Sequence, residues 1–116
     1  MTAAQDDTRA ALARIASADA DSLTDLLVPG DARSEGAELD ARTASLVRVA
    51  VLIALDAPPA SYAWQLANAI AAGASPEDIL GVLRAVAPQV GWPRAVAAAP
   101  EIMLALGLPL SDAETE

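Results

Sequence analysis

The chain has 116 residues and a mass of 11.8 kDa, with 54% hydrophobic residues, 3% aromatic, 20% charged and a formal net charge of −9. That length accommodates one domain with a modest core, burying roughly two-thirds of the surface its unfolded chain exposes. Cysteine and histidine are absent, which excludes disulfides, thiolate nucleophiles, imidazole bases and nearly every zinc, copper or haem site.

The acidic balance, with a pI near 4.2 and no lysine, argues against nucleic acid as a partner, because tracking phosphates requires a basic face. Charge is distributed unevenly. Residues 1–40 carry nine acids against three arginines, residues 41–110 carry four of each, and residues 111–116 add three acids. This pattern sets out residues 1–38 as short helices with an acidic linker, 39–110 as the folded unit, and 111–116 as an acidic tail. The dense apolar run from Leu46 to Leu55 is interrupted by Arg48 and is far shorter than the ~20 residues of a membrane span. Asp6 and Asp7 stand where a secretory signal would be positively charged, so no membrane partner and a cytoplasmic location are expected.

Abundant alanine and missing phenylalanine predict an all-α fold. Residues 8–17 place Leu12 and Ile15 on one helical face, and residues 22–28 supply Leu23, Leu26 and Leu27 for a second short helix. Asp19, Asp21 and Asp25 invite comparison with a calcium loop. Leu23 occupies a ligand position and the glycine is missing, so capping is the better reading. Residues 29–37, with two glycines, read as a loop.

Asp40 caps a helix extending to about Leu55, with hardly any polar face. Such a helix belongs at the centre of the domain, in a subunit interface, or both. The next helix is expected from about Ala60 to Ala72, entered through Pro58 and Pro59 and closed by Gly73. Ser75-Pro76-Glu77-Asp78 is a strong start signal: a capping serine, a proline at the first helical position and acids in the first turn. Its helix carries Ile79, Leu80, Val82, Leu83 and Val86 and is expected to end at Pro88. A last helix from about Pro93 to Leu106 is expected to kink or split at Pro100, with Gly107 as its stop.

Residues 39–98 resemble the carboxymuconolactone decarboxylase and alkylhydroperoxidase D-like proteins. Three segments carry the resemblance: LDARTASLVRVAVLIALDAP at 39–58, NAIAAGASPEDILGVL at 68–83 and APQVGWPRAV at 87–96. It implies an all-helical domain built around a helical hairpin that assembles as trimers or hexamers. The redox branch of that family uses a glutamate, a Cys-x-x-Cys pair and a histidine. Those positions fall here near Ser45, on Pro58 and Ser61, and on Gln65, so no thiol peroxidase activity is carried over. The decarboxylase branch needs no cysteine but commonly keeps the histidine, and Gln65 exchanges no proton at neutral pH.

At the family's pocket position the sequence places Ser45, Arg48, Tyr62, Trp64 and Gln65. Gln65 either orients a carbonyl or carboxylate, or fills the histidine's space and bonds a neighbouring helix. Arg48, set in the most apolar stretch, either clamps a substrate carboxylate or pairs with a protein acid, within the chain or across a subunit boundary. Tyr62, Trp64 and Trp92 are the only aromatics and serve as ligand wall or core packing.

Two function classes follow. One is a cofactor-free lyase, decarboxylase or isomerase for a small carboxylated, carbonyl or lactone molecule, with Gln65, Ser45 and Tyr62 as hydrogen-bonding catalytic residues and Arg48, Trp64 and Trp92 binding substrate. The other is a non-catalytic oligomeric ligand-binding or scaffold protein. The apolar excess of residues 41–110 calls for self-association, and the resemblance implies that it is as a homotrimer or homohexamer.

Overall fold

The computed structural model describes residues 2–28 and 38–111, and among them every regular element is a helix. The loop expected at 29–37 lies outside the described residues. The chain divides into two compact units, residues 1–37 and 38–116.

The first unit holds α1 (Ala3–Ala16) and α2 (Ala20–Leu26). Thr2 and Gln5 form a reciprocal capping box at the start of α1, with Gln5 N–H donating to Thr2 Oγ1 at 3.1 Å and Thr2 N–H to Gln5 Oε1 at 2.8 Å. That cap sets the helix start five residues earlier than the apolar pattern indicates. Asp19 caps α2 by accepting from the Ser22 N–H at 3.0 Å and the Ser22 hydroxyl at 2.8 Å. These bonds, the side-chain one foremost, hold its carboxyl below the usual range. Neither helix contains a fully buried residue.

The second unit is a four-helix arrangement of α3 (Ala41–Leu55), α4 (Pro59–Ala71), α5 (Pro76–Val90) and α6 (Trp92–Ala105). Asp40 caps α3 through the Thr43 N–H at 2.7 Å. After α4, Gly73 adopts φ of 98°, which lets Ala74 N–H reach the Ala69 carbonyl at 2.9 Å and Gly73 N–H reach Ile70 at 3.0 Å. This is a Schellman closure that a residue with a Cβ adopts only under strain. Ser75 and Asp78 form the capping box that opens α5, at 2.9 and 3.1 Å. Arg42 of α3 then pairs with Asp78 at 2.7 Å, tying together the starts of two helices that are far apart in sequence.

The core consists of Val49, Ile53, Tyr62, Leu66, Ala69, Ala74, Ile79, Ala98 and Ile102. α3 and α6 each pack chiefly on α4 and α5 and touch one another only slightly, so they occupy opposite corners. α3 is therefore not enclosed by its own chain. Ser45, Val49 and Ile53 face inward, while Val47, Val51 and Leu55 are exposed.

The expectation for Pro88 is corrected, and of the two outcomes expected at Pro100 the split is excluded. α5 does not end at Pro88 but runs through it to Val90, and α6 is not split at Pro100. Proline removes one intrahelical bond and crowds the preceding turn. At both sites, however, the ring is exposed while apolar residues on either side pack into or against the core: Val86 and Val90 in α5, Ala98 and Ile102 in α6. Burying those residues requires the helix to continue, and this outweighs the missing bond.

Candidate functional site

The α3–α4 hairpin shapes a cleft of about 280 Å³ lined by Leu52 from α3 and by Ala60, Ser61, Trp64 and Gln65 from α4. Helical spacing explains the lining. Residues 60, 61, 64 and 65 form one stripe along α4 (i, i+1, i+4, i+5), set aside from the core stripe of Tyr62, Leu66 and Ala69. α4 begins at Pro59, so this stripe starts in its first turn.

The lining carries three polar groups, the Ser61 hydroxyl, the Trp64 indole N–H and the Gln65 amide, and is otherwise apolar. Trp64 is 70% exposed and forms an open wall. Gln65 lies deeper, and its Oε1 is buried without a hydrogen-bond partner among the described residues. A buried unpaired acceptor is destabilising, so Gln65 holds hydrogen-bonding capacity that the fold itself leaves unused. No lining residue titrates.

The structure thus brings Trp64 and Gln65 together and adds Leu52, Ala60 and Ser61, which the sequence reading did not assign to a pocket. The other candidates lie elsewhere. Ser45 is 4% exposed on the inner face of α3. Tyr62 is 1% exposed within the core. Burial chiefly, and then the charges of Asp56 and Glu101, raise its pKa above the ordinary 10.0. Arg48 is half-buried on α3, one turn from Leu52, and has no ion-pair partner among the described residues. Trp92 starts α6, 74% exposed. Ser61 was detectable in advance, since it lies four residues before Gln65 and therefore on the same helical face.

Among the described residues no cluster of three or more acids forms a candidate metal site, and no helix is long and apolar enough to cross a membrane.

The carboxymuconolactone decarboxylase family model matches residues 28–102, most of the chain and all of the hairpin that carries the cleft. The chain belongs to the carboxymuconolactone decarboxylase family. No curated protein and no solved structure matches it. Within this family assignment the cleft acquires a meaning, because Ser61 and Gln65 are the positions that the resemblance matches to the second cysteine and the histidine of the redox branch. Both line the same cleft here.

Proposed function

We propose that the chain is a cofactor-free, non-redox member of the family acting on a small carbonyl- or lactone-bearing molecule held in the α3–α4 cleft. The observation that carries this reading is that the cleft is lined by Ser61 and Gln65, whose hydroxyl and amide N–H can donate to a carbonyl oxygen, beside the apolar Leu52, Ala60 and Trp64 ring face. Binding sites characteristically combine apolar walls with a few polar groups that fix orientation. Leu52 and Trp64 supply the walls, and Ser61 and Gln65 supply the polar groups. The uncharged lining suits a lactone or ketone better than a free carboxylate, whose desolvation would go uncompensated. Catalysis at this site proceeds by orientation and by hydrogen bonds that strengthen as charge develops on the carbonyl oxygen. Proton transfer passes through solvent or within the substrate, since the lining offers no titrating group.

One observation favours a second reading, a non-catalytic binding protein: the same lack of an acid or base. The two are separated by one set of measurements. Replacing Trp92 by Phe leaves Trp64 as the sole tryptophan, whose fluorescence reports the cleft. Titration with a panel of lactones and cyclic ketones should perturb it, and Gln65→Met should weaken binding by about 1–3 kcal/mol, on the order of 5- to 100-fold. Turnover of a bound compound establishes the enzyme, whereas binding without turnover establishes the second reading. No response from any compound refutes both.

We further infer that the working form is a homo-oligomer, a trimer or a dimer of trimers. Its support is the set of large apolar side chains left exposed on α3, α4 and α6, including Leu55 at 71% exposure, since apolar surface gathered into a patch marks an interaction site.

A further inference from the structure

One atom of the cleft needs the opposite of what its neighbours offer. Ser61 and Gln65 each present a donor to a ligand carbonyl, but Oε1 of Gln65 is an acceptor, buried and without a hydrogen bond among the described residues. Such an atom is satisfied only by a donor. Neither the Ser61 hydroxyl nor the Trp64 indole N–H, the other donors of the lining, bonds to it. A single amide therefore brings to one small cleft a donor and an unpaired acceptor attached to the same carbon.

We propose that the cleft is built for a cyclic amide, a lactam-type ring whose carbonyl accepts from Gln65 Nε2–H while its own N–H donates to Gln65 Oε1. The proposal rests on the reading of the cleft as a carbonyl-binding site and narrows its ligand. Two parallel hydrogen bonds between matching amide edges satisfy both ends of Gln65 at once. A lactone or ketone satisfies the nitrogen alone and leaves the oxygen orphaned. Ring closure matters, because an open-chain secondary amide prefers the trans form, which turns its N–H and C=O to opposite sides. A small ring holds both on one edge. A carboxylic acid shows the same pair only when protonated, which it is not at neutral pH. The apolar ring carbons suit the walls of Leu52 and Trp64, and a cleft of about 280 Å³ restricts the ligand to a small ring.

Because Oε1 is buried in the ligand-free chain, binding includes a turn of the amide. The last torsion of a glutamine is broad, and the residue as a whole is only half-buried, so the amide reaches the cleft by turning about its own stem. That turn relieves the cost of the unpaired oxygen, and a ligand with a donor gains more than one new hydrogen bond. Ser61, one turn earlier on the same stripe, adds its hydroxyl to the ligand carbonyl. Sites whose polar groups are matched in this way discriminate sharply against a ligand that lacks one of the partners.

The test compares δ-valerolactam, N-methyl-δ-valerolactam and δ-valerolactone, three rings of one size. Each is titrated into the full chain carrying Trp92→Phe, with Trp64 fluorescence as the readout. The lactam should bind on the order of 10-fold tighter than the lactone. It should also bind tighter than its N-methyl derivative, which keeps the amide carbonyl and loses the donor. Gln65→Met, with helicity checked by circular dichroism, should abolish the difference between those two lactams. Thermal unfolding of the unsubstituted protein gives a second reading, in which the lactam should raise the melting temperature more than either other ring at equal concentration. Equal affinity for the lactam and its N-methyl derivative overturns this inference and leaves the carbonyl-binding reading standing. A lactam preference that survives Gln65→Met does the same, since another group then supplies the acceptor. No response to any of the three rings, in fluorescence or in melting temperature, overturns both.

Discussion

Gln65→Met should stabilise the ligand-free protein while weakening what the cleft binds. Gln65 Oε1 is buried with no partner among the described residues, and an unsatisfied buried acceptor costs about 1–3 kcal/mol. Methionine is similar in length and equally unbranched, adapts to irregular space and has no such acceptor. Taking the lower bound, a gain of about 1 kcal/mol raises the melting temperature of a domain this size by roughly 4–8 °C. The assay is thermal unfolding followed by circular dichroism. Gln89→Met serves as the control, the same exchange at an exposed position, where the change should stay within about ±0.5 kcal/mol. A fall in melting temperature for Gln65→Met, with Gln89→Met neutral, would refute the reasoning, since it would show Gln65 to be a bonded structural residue.

Three further outcomes follow from local geometry. Gly81 lies within α5, is exposed, and has open space where a Cβ would stand, so Gly81→Ala should raise stability by about 0.5–1 kcal/mol, read as an upward shift in melting temperature. The Ser75 N–H first, and then Arg42, hold the Asp78 carboxyl below its ordinary 3.8. Its stabilisation is therefore complete above 3.8 and is lost as pH falls through the lowered folded value. The melting-temperature gap between wild type and Asp78→Asn should accordingly narrow on acidification, and a constant gap would count against it. Tyr62 is the sole tyrosine, with its pKa raised first by burial and then by Asp56 and Glu101. The stability from keeping it neutral is present below 10.0 and is lost as pH rises through the folded value. Its tyrosinate absorbance should appear above 10.0 or only as helicity is lost, and ionisation at the ordinary value with the helices intact would contradict the placement.

The parts of the fold that local chemistry decides were legible in the sequence. Asp40, Ser75 with Pro76, Gly73 and Gly107 each mark a helix end through caps or positive φ that involve only near neighbours. Pro88 was misread as a helix end because its local penalty is outweighed by packing of Val90 against the core, a tertiary effect that no window of sequence displays. The Arg42–Asp78 pair joins residues 36 positions apart and is silent in sequence for the same reason. Of the site, Trp64 and Gln65 share the cleft because they are adjacent on α4, and the hairpin resemblance pointed to them. Tyr62 lies on the same turn but points into the core, and Trp92 belongs to a different corner of the bundle. Helical phase and packing direction separate these aromatics, and composition does not.

The most direct test of the central claim is a crystal structure of the protein soaked with small lactones and cyclic ketones. The account predicts ligand density between Leu52 and Trp64, with a ligand polar atom within hydrogen-bonding distance of the Gln65 amide. A cleft that stays empty across the panel, or that a protein side chain fills with Gln65 bonded inside the fold, would contradict it.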